Sequence, residues 1–314
     1  MDTLEIKNEV PVVANDDFKV KNRKGEVVPP DKIRKTGRRV KGLPAMAKVE
    51  PFILETRVGS SNYIKDSLKT DRIDAYIKEK REKGLTNFTL MHVFVASYIR
   101  AVSQKPGINR FVQGQRVYAR NNIEVCLVIK KEMSLESPDT VIKAYFYPDA
   151  TAEEVYYQFE KIINDYRNSP GGDFDDTVKF FSYIPRVVMR GAMNVIKFFD
   201  YFNMLPRFLT KLSPFHGSFF ITSMGSLGIP PIYHHLYDFG NVPLFLSFGT
   251  KYRKNELNDE GQVEKHSYVD YTVVTDERIC DGYYFASAMK FMRSVVRNPC
   301  QLDKRPDEVK KDID

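Results

Sequence analysis

Residues 272–291 read TVVTDERICDGYYFASAMKF, and this stretch decides the fold. It begins inside a run rich in β-branched residues, Ser267–Thr275, which is typical of a strand. A charged loop follows at 276–282, and then a helical pattern over Tyr283–Asn298 that Pro299 ends. We therefore predict a strand, a tight loop and a closing helix. The apolar residues at helical spacing form the face that packs on the core: Phe285, Ala288, Met289, Met292, Val295 and Val296.

Two apolar stretches precede this unit and predict neighbouring strands. They are GSFFITSMGSLGI at 217–229, with a strand over Gly217–Ser223, and PLFLSFGT at 243–250, with a strand over Val242–Gly249. Earlier strands are expected over Val49–Val58, Arg116–Arg120, Ile123–Lys131 and Val141–Tyr147, and helices over Asn62–Glu82, Thr89–Gln104 and Thr151–Arg167. The helix over Thr89–Gln104 is the most apolar, so we expect it in the core.

The strands and helices interleave without a strict βαβ repeat or a glycine-rich phosphate loop. The expected fold class is therefore α/β in the sense of a mixed sheet with helices packed on it, an α+β arrangement. Residues 1–31 are expected to form a basic, partly flexible arm, residues 32–300 the main domain, and residues 301–314 a polar tail.

The chain carries a net charge of +7, most of it in residues 16–41. A basic segment of this kind can contact nucleic acid, anionic lipid or a phosphorylated ligand, but a solvated leader is favoured. No zinc-finger or helix-turn-helix pattern accompanies it, which argues against nucleic acid. Cys126, Cys280 and Cys300 form no disulfide framework and no close metal-ligand pair, and the first residues do not resemble a signal peptide. A reduced, cytoplasmic protein without a bound metal is expected.

The segment 178–210 combines large apolar residues with a narrow polar stripe at intervals of three or four. The stripe consists of Lys179, Ser182, Arg186, Arg190, Asn194 and Lys197. Such a segment is either mostly buried or lies on a membrane with its basic stripe outward. We expect a helical insertion that is buried against the core of this chain or against a neighbouring subunit, with a membrane surface as the less favoured alternative.

Three segments in fixed order, 217–229, 243–250 and 272–291, resemble the catalytic domain of the 2-oxoacid dehydrogenase acyltransferases, whose fold is that of chloramphenicol acetyltransferase. The first is similar to the family pattern Gly-Thr-Phe-Thr-Ile-Ser-Asn-Leu-Gly, and the last to its Asp-His-Arg-x-x-Asp-Gly loop and closing helix. The resemblance covers roughly residues 32–300, without a lipoyl or subunit-binding domain. It implies a homotrimer that moves an acyl group between coenzyme A, as co-substrate, and a small or carrier-borne acceptor. The site would lie between subunits, with neither a metal nor a bound lipoyl group.

The family's roles transfer to five positions. The hydroxyl that stabilises the oxyanion falls on Thr222, and Ser223 stands where the family has asparagine. Asp281 corresponds to the aspartate that orders the loop through a charged partner, and Gly282 to the turn before the helix. The family's catalytic histidine is replaced by Glu277. An alternative for Thr222 is a structural threonine that is buried at a strand end and bonded to the backbone.

Glu277 is the main departure from the family. Imidazole titrates near about 6.5 and glutamate near about 4.3, so a carboxylate is the weaker base unless its surroundings are apolar. Glu277 is therefore either an activated base or a structural or substrate-orienting group. His234 and His235 are further base candidates, although packing or surface roles are commoner for such a pair. Cys280 can form an acyl thioester if its thiolate is stabilised, but a neutral buried thiol is favoured.

Three functions follow from these patterns. The first is a coenzyme-A-dependent acyltransferase. The second is a trimeric acyl-CoA-binding protein that has lost its base and no longer catalyses the reaction. The third, and least favoured, is a scaffold at a membrane surface that uses the 178–210 segment and the basic arm.

Overall fold

A six-stranded mixed sheet organises the chain. The computed structural model describes residues 18–130, 139–168 and 183–313. The strands are β1 (Gly37–Arg39), β2 (Ser61–Lys69), β3 (Arg110–Gln113), β4 (Arg116–Arg120), β5 (Ile123–Lys130), β6 (Asp139–Phe146), β7 (Phe219–Ser223), β8 (Leu244–Leu257) and β9 (Val263–Asp276). The α-helices are α1 (Ala45–Ile53), α2 (Asp71–Glu82), α3 (Leu90–Gln104), α4 (Ala152–Asn168), α5 (Arg186–Tyr201), α6 (Arg207–Leu212) and α7 (Gly282–Arg297).

The strand order of the large sheet is β2-β9-β8-β7-β5-β6. Its centre is parallel, because β7 runs in the same direction as both β5 and β8, whereas the outer pairs are antiparallel. A small sheet of order β1-β4-β3 lies beside it. This arrangement confirms the predicted α/β class with a mixed sheet.

The main core lies between one face of the large sheet and helices α2, α3, α4 and α7. Helix α3 is buried almost throughout, as its composition predicted. It begins in a capping box in which the Thr89 amide donates to Nδ1 of His92 at 3.0 Å. His92 is buried and stacked on Phe88, and burial lowers its pKa to about 4. His92 is therefore a neutral core residue.

Two sequence predictions in the N-terminal third were wrong. Val49–Val58 was predicted as a strand, but α1 occupies its first half and leaves Val49 and Phe52 exposed. Asn62–Glu82 was predicted as one helix, but its first half is β2, which pairs with β9 from Ser61 to Lys69. The apolar spacing there misled the prediction because β2 is an edge strand with little buried surface. Only tertiary pairing decided its structure.

Most of the other predicted elements agree with the structure within a few residues. The exceptions are β8 and β9, which extend beyond the predicted strands into a long hairpin that turns at 258–262. Residues 1–17 of the predicted arm lie outside the described residues. So does the sequence Ser-Pro-Gly-Gly at 169–172, which follows the predicted helix Thr151–Arg167. Lys19 forms an ion pair with Asp149, and Arg110 one with Asp312, so described parts of the arm and the tail contact the domain.

The 178–210 segment forms helices α5 and α6, while residues 178–182 lie outside the described ranges. Burial against the chain's own core, one of the two expected arrangements, was wrong, because only Asp200 and Thr210 are buried between residues 183 and 210. Burial against a neighbouring subunit stays a prediction. Helix α5 is held instead by hydrogen bonds of its buried residue Asp200 to Gln113 and His216, so its apolar side chains do not have to enter the core. In the described ranges, no helix has both the length and the apolar character needed to cross a membrane.

A buried charge cluster holds α6 against the sheet. Arg207 forms an ion pair with Glu124, which is fully buried on β5, and Lys143 donates to the carbonyls of Thr210 and Ser213 at 2.7 and 2.9 Å. Burial by itself would raise the pKa of Glu124, but Lys143, Arg207 and Arg120 outweigh it and hold this pKa below its usual value. The carboxylate therefore stays charged in the folded protein.

The variant Glu124→Gln should lower the free energy of unfolding by about 3 kcal/mol or more at pH 7, because it leaves buried cations without their counter-charge. A carboxyl group whose folded pKa is depressed stabilises the protein above its unfolded pKa, near about 4.3, and loses that effect as pH falls. The difference in free energy of unfolding between wild type and Glu124→Gln should therefore become smaller as pH falls below about 4.3. Urea unfolding at several pH values measures it, and Glu153→Gln, on the exposed start of α4, should leave stability nearly unchanged.

Candidate active site

Strand β7 places Thr222 on the sheet face opposite the main core. Phe219 and Ile221 point into the main core, and Phe220 lies in a second apolar cluster on the other face, so the alternation of the strand puts Thr222 on that second face. The register pairs Thr222 with Ser247 on β8, and Ser247 with Thr272 on β9. A row of three hydroxyl side chains thus crosses the sheet at this level.

Two of these hydroxyls hold the loop that covers the second face. Ser247 Oγ accepts a hydrogen bond from the Ile232 amide at 3.1 Å, and Thr272 Oγ1 donates to the Ile232 carbonyl at 2.5 Å. Thr222 differs from them. It is half-buried, and its hydroxyl has no hydrogen-bond partner among the residues that the structure describes. The alternative of a Thr222 hydroxyl bonded to the backbone therefore does not hold, and the group is available to a ligand.

Glu277 follows the end of β9 at the opposite end of these strands. Its amide donates to the Ser60 carbonyl at 2.9 Å, and Asn62 Nδ2 donates to Glu277 Oε2 at 2.8 Å. Glu50 on α1 is an electrostatic neighbour: burial raises the pKa of the Glu50 carboxyl, and the charge of Glu277 raises it further. Within one chain, the half-buried Glu277 therefore has the Asn62 amide as a hydrogen-bond donor and the Glu50 carboxyl as an electrostatic neighbour.

Sheet geometry separates Glu277 from Thr222. Thr222 is level with Thr272, and Glu277 lies five residues further along the chain from Thr272. With about 3.3 Å per residue along a strand and about 4.8 Å between strands, the two Cα atoms are roughly 19 Å apart. Both side chains cannot reach the same atom of a substrate within one chain.

The loop between β9 and α7 is ordered by a buried charge network. Asp276, which has no solvent exposure, accepts from Nε and Nη2 of Arg278, both at 2.7 Å, and pairs with Arg57 at 3.4 Å. Arg278 also donates to the Leu54 carbonyl at 2.8 Å, which joins the loop to the end of α1. The sequence-based expectation gave this ordering role to Asp281.

Asp281 has a different contact from the expected one. It is exposed and accepts from the Tyr284 amide at 2.8 Å, so it is the N-cap of α7. No ion pair to Asp281 is present in the described ranges. Within the described parts of one chain Asp281 therefore lacks the expected charged partner, and Asp276 orders the loop because it is the member of the motif that the sheet buries. Gly282 is the first residue of α7 and not a turn, and its φ is not positive.

His234 lies on the same face of the sheet as Thr222. Its ring stacks on Phe245 at 4.0 Å, and Phe245 pairs with Phe220, two residues before Thr222, so the Cα atoms of Phe245 and Thr222 are roughly 8 Å apart. Burial, and then the charge of His235, lower the pKa of His234. Nδ1 of this neutral ring donates to the His235 carbonyl at 2.6 Å, which leaves Nε2 as a proton acceptor.

The remaining predicted residues differ in their surroundings. His235 is exposed and stacks on His234 at 4.8 Å. Burial raises the pKa of Cys280 to about 12, so this thiol is neutral, as the favoured interpretation required. Ser223 ends β7 and lines a groove of about 600 Å³ beside α2 and the start of α3. Three cations border this groove: Lys78, Arg81 and Lys251. Lys78 forms an ion pair with Glu82, and Lys251 with Asp74, which also lines the groove.

Sequence reasoning missed Asn62, Glu50 and the pair of Arg57 with Asp276. Asn62 was placed on a helix, so its position beside Glu277 across the β2–β9 pair could not be foreseen. Arg57 fell in a stretch predicted as a strand. The acidic residue before Glu277 and the arginine after it were the available signal, because a buried carboxylate requires a cation.

Several solved structures are similar to this chain in fold. A probable dihydrolipoamide acetyltransferase from Listeria monocytogenes has a TM-score of 0.52 and 13% identity, with 82% of this chain and 94% of that chain covered. A dihydrolipoamide acetyltransferase from Azotobacter vinelandii, studied for the roles of a serine, a histidine and an asparagine in its catalytic mechanism, has a TM-score of 0.53 and 11% identity, with coverages of 93% and 99%.

A third similar structure is the truncated catalytic core of a 2-oxoacid dehydrogenase multienzyme complex from Thermoplasma acidophilum, with a TM-score of 0.50, 11% identity and coverages of 82% and 99%. No protein-family model matches the chain, and no curated protein sequence does. Identities this low establish similarity of fold, and they confirm the fold that the three motifs predicted. The chain is folded like the catalytic domains of the 2-oxoacid dehydrogenase acyltransferases.

Proposed function

We propose that this protein transfers an acyl group between coenzyme A and a small or carrier-borne acceptor. The observation that carries the proposal is the hydroxyl of the half-buried Thr222, which lies near the end of a central strand and has no hydrogen-bond partner in the described parts of the chain. A hydrogen-bond donor fixed on a rigid strand suits the stabilisation of an oxyanion, because it needs no rearrangement during the reaction.

The groove at the end of β7 supports coenzyme A as the co-substrate. Coenzyme A carries phosphate groups, and Lys78, Arg81 and Lys251 supply cations where Ser223 ends the strand. Phosphates bound there would bring the thioester to the edge of the sheet at which Thr222 lies. The acceptor would then approach from the opposite side of the strand.

The reaction follows from these positions. A base removes the proton of the acceptor group, which attacks the thioester carbonyl carbon. The carbonyl oxygen becomes an oxyanion, to which the Thr222 hydroxyl donates. Collapse of the tetrahedral intermediate breaks the carbon–sulfur bond, and the coenzyme A thiolate takes up the proton held by the base.

We propose a homotrimer with its site between subunits, and Glu277 of one copy as the base for a thioester held at Thr222 of another. The separation of roughly 19 Å within one chain supports this arrangement, since only a second copy can bring the two groups together. His234 is the competing base. It lies on the Thr222 face of the same chain and has a free Nε2, so it would not require a second copy.

A second candidate function is a trimeric protein that binds acyl-CoA without turning it over. The contact of Asn62 with Glu277 favours it, because Asn62 Nδ2 already donates to Glu277 Oε2 at 2.8 Å and competes with an acceptor for that oxygen. Tight binding of acyl-CoA with no release of coenzyme A across a broad screen of acceptors would distinguish this function from catalysis. The cytoplasmic location stays a prediction.

Replacing Thr222 by valine removes the hydroxyl and keeps the shape of the side chain. We expect kcat to fall by about 100-fold or more while KM for acyl-CoA changes little, because the hydrogen bond is needed in the transition state. Thr222→Ser should retain activity within a few-fold. Release of coenzyme A from acetyl-CoA and longer acyl-CoA, followed with a thiol reagent, measures both variants.

Ser226→Ala is the matched control for Thr222→Val, since Ser226 lies in the turn that follows β7 and its hydroxyl donates to the Ser223 carbonyl. Its kcat should stay close to that of the wild type. A valine variant as active as the wild type would rule out Thr222 as the oxyanion donor.

Mixed oligomers can separate the two base candidates. If Thr222 and Glu277 act across a subunit boundary, co-expression of Thr222→Val chains with Glu277→Gln chains should restore activity at about a quarter of the sites, although each variant alone is inactive. If His234 is the base within one chain, mixing Thr222→Val with His234→Gln should restore nothing. Activity of the purified mixed oligomers, relative to wild type, gives the result.

His235→Gln serves as the control for His234, because His235 is the exposed neighbour in the same loop. Full activity of Glu277→Gln alone would reject Glu277 as the base. Monomeric behaviour of the active wild-type protein in sedimentation would contradict the shared site.

A further inference from the structure

We infer that helix α5 and the residues that follow it, up to Phe208, bind the surface of an anionic lipid bilayer. This segment lies on the outside of the domain and combines large apolar side chains with unpaired cations. The inference concerns a different surface from the proposed active site and does not depend on acyl transfer.

The apolar part is an aromatic cluster at the end of α5. The Phe198 ring lies 5.7 Å from that of Phe199 and 5.0 Å from that of Phe202. These rings are 58%, 39% and 54% exposed, so they contact one another without entering the core. Val187 and Val188, in the first turn of the same helix, are 85% and 59% exposed. Five large apolar side chains exposed on one helix are unusual unless a lipid bilayer or another molecule covers them.

The exposed charged residues of α5 are all basic. Arg186, Arg190 and Lys197 are separated by four and seven residues, which puts them within about 40° of one another around the helix axis. All three are exposed and have no acidic partner in the described ranges. The single acid of α5, Asp200, is buried. A cationic stripe beside an apolar face matches the boundary between anionic headgroups and acyl chains.

The helix is held rigidly in place by its buried end. Asp200 Oδ1 contacts Nε2 of His216 at 2.9 Å and accepts from Gln113 Nε2 at 2.5 Å. His216 Nδ1 contacts Ser213 Oγ at 2.8 Å, and the Tyr201 hydroxyl donates to Gln115 Oε1 at 2.7 Å. These contacts fix the orientation of α5. Its apolar face is therefore already formed, and binding to a bilayer would not require the conformational entropy loss of folding the helix.

A lipid surface explains this face better than a second copy of the chain that uses the same face. In a two-fold contact, each helix would oppose its own image and bring the stripes of Arg186, Arg190 and Lys197 close together, where like charges repel. A bilayer with anionic headgroups accepts all three cations and the aromatic cluster at once. The proposed occupant is therefore an anionic bilayer surface, and burial of this face against a different face of a neighbouring copy is the alternative that lipid-free sedimentation would reveal.

The chain contains no tryptophan, so Phe198→Trp introduces a single fluorescent reporter at the proposed contact. On addition of vesicles with about 30% phosphatidylglycerol in phosphatidylcholine, at about 50 mM salt, its emission should shift to the blue and be quenched by brominated acyl chains. Leu257→Trp is the control, because Leu257 is 72% exposed at the far end of the β8–β9 hairpin. Its emission should not change.

The contribution of the charges is tested by vesicle flotation of the triple variant Arg186→Gln, Arg190→Gln, Lys197→Gln. Its apparent affinity should fall on the order of 100-fold, at about fivefold for each cation. The triple variant Arg253→Gln, Lys265→Gln, Lys290→Gln removes the same charge from exposed positions on the hairpin and on α7, and should lose far less. Thermal melts should show that both triple variants are folded.

Three results would overturn the inference. The first is the absence of flotation and of any spectral shift with anionic vesicles at low salt. The second is an equal loss of affinity in both triple variants, which would indicate bulk charge. The third is a smaller assembly for Phe198→Ser with Phe202→Ser in lipid-free sedimentation, which would show that another copy covers the face. Release of coenzyme A in lipid-free buffer reports separately on the proposed function.

Discussion

The register of strands β7, β8 and β9 is the constraint on which the rest of the structure depends. It aligns Thr222, Ser247 and Thr272 across one face, and it puts the end of β9 at the opposite end of the same strands. A shift of one residue in any one of the three strands would turn the hydroxyl of that strand into the main core. The same register separates Thr222 from Glu277, so the chemistry of any shared site depends on how copies of the chain meet.

Buried charges secure the segments that the sheet alone does not order. Asp276 joins the loop after β9 to Arg57 and Arg278, and Glu124 joins α6 to the sheet through Arg207. A fully buried carboxylate is stable only with cations around it, which explains why each is surrounded by basic groups. The position of Glu277 therefore follows from the neighbouring Asp276, and the exposed face of α5 follows from the small set of contacts around Asp200.

The proposed active site and the exposed face of helix α5 thus lie on different parts of the molecule. The Thr222 hydroxyl, which has no partner among the described residues, and the basic groove both lie at the C-terminal end of β7. The apolar helix lies outside the main core, attached through polar contacts at one end. Alterations of the α5 face leave the strands that form the proposed site unchanged, because those strands pack on α3 and α7 from the other side.

The sequence by itself determined the central strands, the core helix α3 and the closing helix α7, because their apolar periodicity is local and continuous. The fold that they form was implied by the resemblance of three motifs to a known family. It could not determine that Asn62 lies on an edge strand, since an edge strand with little buried surface has no distinctive pattern. Nor could it place Asp276, rather than Asp281, at the centre of the loop, because burial depends on which residue the sheet covers. Only the tertiary structure decided that α5 is exposed, since amphipathic periodicity indicates that one face differs from the other and not what that face contacts.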